Sequence, residues 1–258
     1  MNNALAVASV VIKELYRRKD FYVLFVLTAL LTLAMGSMNF FNDPHIVRYL
    51  REVCLLLVWV SALVIAITMA ARQLPAERES RTIFPLLAKP ITRAEVVLGK
   101  FLGCWFAAGL ALVVFYVFFA VISGVRDGQW PLGLYLEGLW LHWLLLAIVI
   151  AATLLGSVVL STPAANATLA FVLAGGIMLL GQHLNTLALR QAEPVRTILY
   201  AVYFAIPHFE FFDLRRKIIH DALPAPAWAV GAVTLYAAVY TAFFLVATCL
   251  AFRRRSLN

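Results

Sequence analysis

The residues of this 258-residue chain whose types and spacing could do work fall in one stretch, 72–100. There Arg72, Arg78, Arg81, Lys89, Arg93 and Lys100 are interspersed with Glu77, Glu79 and Glu95. Glu77 and Arg81 stand four apart, the spacing of an ion pair on one helical face, and Ile83, Phe84, Leu86 and Leu87 add an apolar surface that a solvated loop does not need. Pro85 and Pro90 turn the chain back. This pattern suits a short element that docks onto another protein; the plainer reading is a charged loop held on the inner side of a membrane by its Lys and Arg excess. Patterns for catalysis are missing. Gly99-Lys100-Phe101-Leu102-Gly103 is not a phosphate loop, and there is no H-E-x-x-H, no G-x-S-x-G and no pair of carboxylates inside an apolar run. The chain is therefore expected to be no enzyme and to hold no cofactor. The five histidines lack the spacing of a metal site, and Cys54, Cys104 and Cys249 lie in three separate apolar runs, so neither a metal nor a disulfide is expected.

The elements that must carry this stretch are membrane spans. The chain is 64% hydrophobic and 13% charged, with a mean hydropathy of +0.91, against about 45–50% and about 25% for a soluble domain. A bilayer core of about 30 Å needs about 20 apolar residues per helix. Six runs of suitable length are read at approximately 21–40, 53–71, 101–124, 139–161, 163–183 and 228–252. The fold class expected is all-α, a single six-helix membrane domain over 1–258. Before the first span, Ser9, Lys13 and Arg17 recur every four residues opposite Leu5, Ala8 and Ile12, which predicts an amphipathic helix at the membrane surface. Thr92-Arg93-Ala94-Glu95 has the spacing of a capping box, and Thr162-Pro163 breaks an uncharged stretch into a tight hairpin. The run 197–207 is too short to cross and reads, with 208–221, as a re-entrant or interfacial element on the outer side. Six spans with both termini cytoplasmic place thirteen Lys and Arg inside and eight outside, the expected bias for a cell-membrane protein.

Small-residue spacings at Gly99 and Gly103, at Ala152 and Gly156, and at Gly175-Gly176 suit close helix packing, within the chain or as a seam between two subunits. Glu137 and His142 sit at the outer end of the fourth span, and His208, Glu210 and Asp213 in the outer element. They are candidates for an outer gate. The blander reading makes Glu137 and His142 an interfacial pair between Trp140 and Trp143, and the outer element an amphipathic helix with its charges in water.

The stretch from Glu77 to Arg93, Glu77-Arg78-Glu79-Ser80-Arg81-Thr82-Ile83-Phe84-Pro85-Leu86-Leu87-Ala88-Lys89-Pro90-Ile91-Thr92-Arg93, with Gly99-Lys100 after it, resembles the segment of ABC-2 type transporter permeases that reads roughly E-x-E-x-G-T-x-x-x-L-L-x-x-P-x-x-R-x-x-x-x-x-G-K. The six-span plan, basic amphipathic start and outer Pro207-His208-Phe209-Glu210 stretch fit the same family. The resemblance implies that Glu77, Arg78, Glu79, Arg81, Thr82, Phe84, Leu87, Lys89, Pro90 and Arg93 couple the chain to a separate ATPase subunit, which would bind ATP and Mg. It also implies a second permease subunit, as homodimer or heterodimer, and export of a substrate across the membrane. Arg81 stands where the family usually has glycine, and Pro85 interrupts the coupling helix. Two other outputs stay open: mechanical signalling to an outer partner, and a stand-alone secondary transporter, for which internal repeats and mid-membrane charges would be expected.

Overall fold

The computed structural model describes residues 2–17, 19–37, 46–75 and 92–254. Among them every regular element is helical: α1 (Asn2–Arg17), α2 (Lys19–Ser37), α3 (Ile46–Arg72), α4 (Arg93–Asp127), α5 (Leu132–Val159), α6 (Pro163–Leu189), α7 (Val195–Ala205), a 3-10 turn (Phe209–Phe212), α8 (Arg215–Ile219) and α9 (Ala227–Arg254). The helices begin where their caps dictate. Thr92 Oγ1 accepts from the Glu95 amide at 3.2 Å while the Thr92 amide donates to Glu95 Oε2 at 2.8 Å, so the capping box forms as its spacing predicts. Thr162 caps α6, with Pro163 in the first turn. α4 stops at Gly128, whose φ of 71° lies in the left-handed region that glycine adopts without strain.

Among the described residues, four helices are long and apolar enough to cross a membrane: Arg48–Arg72, Arg93–Arg126, Leu132–Val159 and Ala227–Arg254. α2 and α6 carry shorter apolar stretches, Tyr22–Leu31 and Pro163–Leu179. These four helices coincide with the expected second, third, fourth and sixth spans, and α2 and α6 lie where the first and fifth were expected. α3 also differs from expectation. It starts at Ile46, ahead of the expected span start at 53, and runs unbroken through Arg48, Arg51 and Glu52, with Arg51 buried and partnered instead of solvated.

α5 is the centre of the bundle and packs against α3, α4, α6 and α9. Its crossing with α4 is fixed by a reciprocal pair: the Trp105 indole donates to the Trp143 carbonyl and the Trp143 indole to the Trp105 carbonyl, both at 3.0 Å, with the rings stacked 4.5 Å apart. α1 lies along α4, burying Ala8 and Val11, where Gly103 lets the two backbones approach. α7 packs on α6 and buries none of its residues, and α8 rests on α3 and α5.

Candidate functional site

The end of the bundle where α3 stops and α4 starts is knitted together around the two stems of residues 76–91. From α4, the buried Lys100 ammonium donates to the Gln73 carbonyl at 3.0 Å and to Gln73 Oε1 at 3.3 Å, which fastens one stem to the other. Arg93, one residue into α4, donates through Nη1 to the carbonyls of Phe252 at 2.7 Å and Arg253 at 3.1 Å, and its guanidinium lies 5.5 Å from the Phe252 ring centroid. A cation here satisfies carbonyls at the C-terminal end of α9 that have no helical partner and offsets the negative pole of the helix. Leu74, Val97, Val158 and Phe252, from the ends of four different segments, form a separate apolar cluster beneath these contacts. Asn166 on α6 completes the set. Its buried amide donates to the Thr153 carbonyl at 3.1 Å and the Ala71 carbonyl at 3.5 Å.

At the opposite end, polar side chains tie the 206–221 stretch to the bundle. Arg51 is 1% exposed; its Nε donates to Ser123 Oγ at 2.7 Å and its Nη1 to Asp221 Oδ1 at 2.7 Å, while Ser123 pairs with the Tyr135 hydroxyl at 3.0 Å. Asp213 takes Arg215 in a fork, Nε to Oδ1 at 2.9 Å and Nη2 to Oδ2 at 2.7 Å. Burial pushes the Asp213 carboxyl up, but the bonds and charge of Arg215 outweigh it and hold the carboxyl below its ordinary value. The same guanidinium lies 4.8 Å from the Trp59 ring centroid, and the His142 ring stacks on Trp59 at 4.4 Å. The His208 amide donates to the Tyr236 hydroxyl of α9 at 2.9 Å.

Residues 8–257 match the family model described as ABC-2 family transporter protein. The chain belongs to the ABC-2 transporter family. No curated protein matches it significantly. As an ABC-2 permease it is a multi-pass membrane protein and a component of membrane transport.

Of the expected coupling residues of this permease, Arg93 is seen at the base of the segment, as above. Glu77, Arg78, Glu79, Arg81, Thr82, Phe84, Leu87, Lys89 and Pro90 lie outside the described residues. The small residues divide. A Cβ on Gly103 would meet Val11 and Ala8 of α1, and one on Gly156 would meet Asn166, so both serve packing within the chain. Gly99 is buried as well, and Ala152 is half-buried. Among the described residues nothing lies within 4 Å of a Cβ built on Gly175 or Gly176, which leaves that part of α6 open there.

The outer candidates are not one group. Glu137 and His142 do not pair: the Glu137 carboxylate accepts from the Ala225 amide at 3.1 and 3.2 Å, while His142 is fully buried and both ring nitrogens lack a hydrogen-bond partner among the described residues. The interfacial-pair reading fails because the ring enters the core to stack on Trp59. Among the described residues no group of three or more His, Cys, Asp and Glu is placed to hold a metal. Sequence reasoning missed Arg51, Gln73 and Asn166, and it named Lys100 only within the charged stretch and the Gly99-Lys100 motif, not as a buried fastening. Only Asn166 left a sign, as an amide within a stretch free of Asp, Glu, Lys and Arg.

Proposed function

We propose that the chain is the membrane subunit of an ATP-driven exporter, with a separate phosphate-loop ATPase docking on residues 77–90 and binding ATP and Mg. The observation that carries this reading is the clasp beneath that segment. Arg93, Lys100, Gln73 and the Phe252 cluster join the stems of residues 76–91 to α3, α4, α5 and α9, so a displacement of the segment is delivered to several helices at once. A loop retained only for its charge needs no such fastening. The bundle crosses the membrane six times in this reading, α2 and α6 included, with both termini cytoplasmic. A second permease subunit packs on the open side of α6 at Gly175 and Gly176, where small residues allow two helices to approach closely.

The test is purification from native membranes in mild detergent. A phosphate-loop ATPase should co-purify in stoichiometric amount, and a permease that comes alone from membranes containing its neighbours contradicts the proposal. Mechanical signalling to an outer partner would keep the ATPase as well, and is separated from export by whether ATP hydrolysis moves an amphiphile across reconstituted vesicles.

A further inference from the structure

Two cavities meet at the outer element. The first, about 550 Å³, opens between α3, α6 and the 209–219 stretch and is lined by Glu52, Glu210, Arg216, the Asp213–Arg215 pair and the edge of the apolar wall at Trp59 and Phe209. The second, about 430 Å³, is a groove along α5, α6 and α9, lined almost wholly by apolar side chains such as Ala170, Leu173, Ile177 and Phe244. Phe209 lines both, and consecutive residues of α6 pass from one to the other, Ile177 into the groove and Met178 into the cup. Each volume falls in the range of about 300–1,000 Å³ found for ligand sites. A charged cup adjoining an apolar groove across Phe209 has the outline of an amphiphile.

The free charges of the cup select among amphiphiles. Asp213 and Arg215 satisfy each other at 2.7 and 2.9 Å. The side chains of Glu52, Glu210 and Arg216 make no hydrogen bond or ion pair with any described residue, which leaves two carboxylates and one guanidinium at the space. A head carrying an ammonium and a phosphate complements that set, the ammonium at the carboxylates and the phosphate at the guanidinium. A head with a phosphate alone meets two unpaired negative charges, which discriminate against it.

We propose that the cup and groove together bind one zwitterionic ammonium–phosphate amphiphile, with its head between Glu52, Glu210 and Arg216 and its chain along the α5/α6 groove. That this amphiphile is the cargo rests on the exporter reading; the binding itself does not. The test uses the protein as purified from membranes in mild detergent, titrated with ethanolamine phospholipid and with glycerol phospholipid of the same chains, and followed by native mass spectrometry. Wild type should bind the ethanolamine lipid about tenfold more tightly, as expected for two partly exposed charge pairs. E52Q/E210Q should lose this preference without loss of folding, since both carboxylates are at the surface. Ala170→Phe, which fills the groove, should weaken both lipids, and phosphoethanolamine without chains should not bind at the same concentrations. Equal binding of the two lipids by wild type, a preference that survives E52Q/E210Q, or indifference to Ala170→Phe would each overturn the site and mark the lipid as a general surface layer. If the headgroup preference holds while no ATPase co-purifies, the site stands and the exporter reading fails; the opposite result separates them the other way.

Discussion

Gly103 is where α1 is held against α4, and a single methyl group tests that contact. A Cβ at Gly103 would stand 2.6 Å from Val11 Cβ and 3.0 Å from both the Cα and the carbonyl oxygen of Ala8. Non-bonded carbons rest at about 3.5–4.0 Å. Two of the three contacts are backbone, so no change of rotamer relieves them and Gly103→Ala must push α1 away from α4. Overpacking of this kind costs about 1–3 kcal/mol, and alanine in place of a helical glycine recovers about 1 kcal/mol. The expected net loss is up to about 2 kcal/mol. At roughly 2–4 °C per kcal/mol for a chain of this size, the Tm should fall by up to about 8 °C, while the control rises. Gly133→Ala is the control, because its Cβ would have nothing within 4 Å and only the helix-propensity gain remains. Thermal unfolding of wild type and both variants in the same mild detergent reads the difference. If Gly103→Ala melts at or above wild type, moving together with Gly133→Ala, the close α1–α4 approach is refuted.

Arg93→Ala removes donors to the Phe252 and Arg253 carbonyls and should cost about 1–2 kcal/mol; hydrogen exchange should quicken in the last turn of α9 and stay unchanged in α5, with Arg93→Lys intermediate. Arg51→Met takes away the partner of Asp221, whose side chain is half-exposed and can carry its charge in water, so the loss should be about 2–3 kcal/mol, short of the about 3–5 kcal/mol for breaking a fully buried pair. Limited proteolysis should then cut faster within 215–222. The Asp213 carboxyl, held below its ordinary value by Arg215, contributes stability that is full above the unfolded value of about 3.9 and is lost as pH falls through the lower folded value. A pH series of melting temperatures should therefore show a drop below about pH 4, which Asp213→Asn makes shallower.

What was legible in the sequence was local. The capping box at Thr92 and Glu95 and the Thr162-Pro163 helix start depend on residues within three or four positions of each other, and both form as read. Apolar length identified the helices, but their ends were misjudged where a charge marked an apparent boundary. Arg51 and Lys100 look in sequence like residues that fix topology from outside the membrane core. In the fold they are 1% and 3% exposed, because their partners arrive from elsewhere: Ser123 is 72 positions from Arg51, Asp221 170, and Gln73 27 from Lys100. No short-range spacing encodes such pairs. The Trp105–Trp143 exchange across α4 and α5 is hidden for the same reason. The small-residue spacings were legible as close-packing positions, yet only the packed helices distinguish Gly103 and Gly156, which serve the chain's own core, from Gly175 and Gly176, which face open space.

The central claim is that residues 77–90 pass the work of a separate ATPase into the bundle. The most direct measurement is the ATPase activity of the complex purified from native membranes, for wild type and for a Glu77→Ala, Arg81→Ala double variant, with the permease itself verified as folded by its melting temperature. The account predicts that the variant either loses the ATPase subunit or retains it with hydrolysis that no longer responds to the permease. An unchanged complex with unchanged, permease-responsive hydrolysis would contradict the coupling role of this segment.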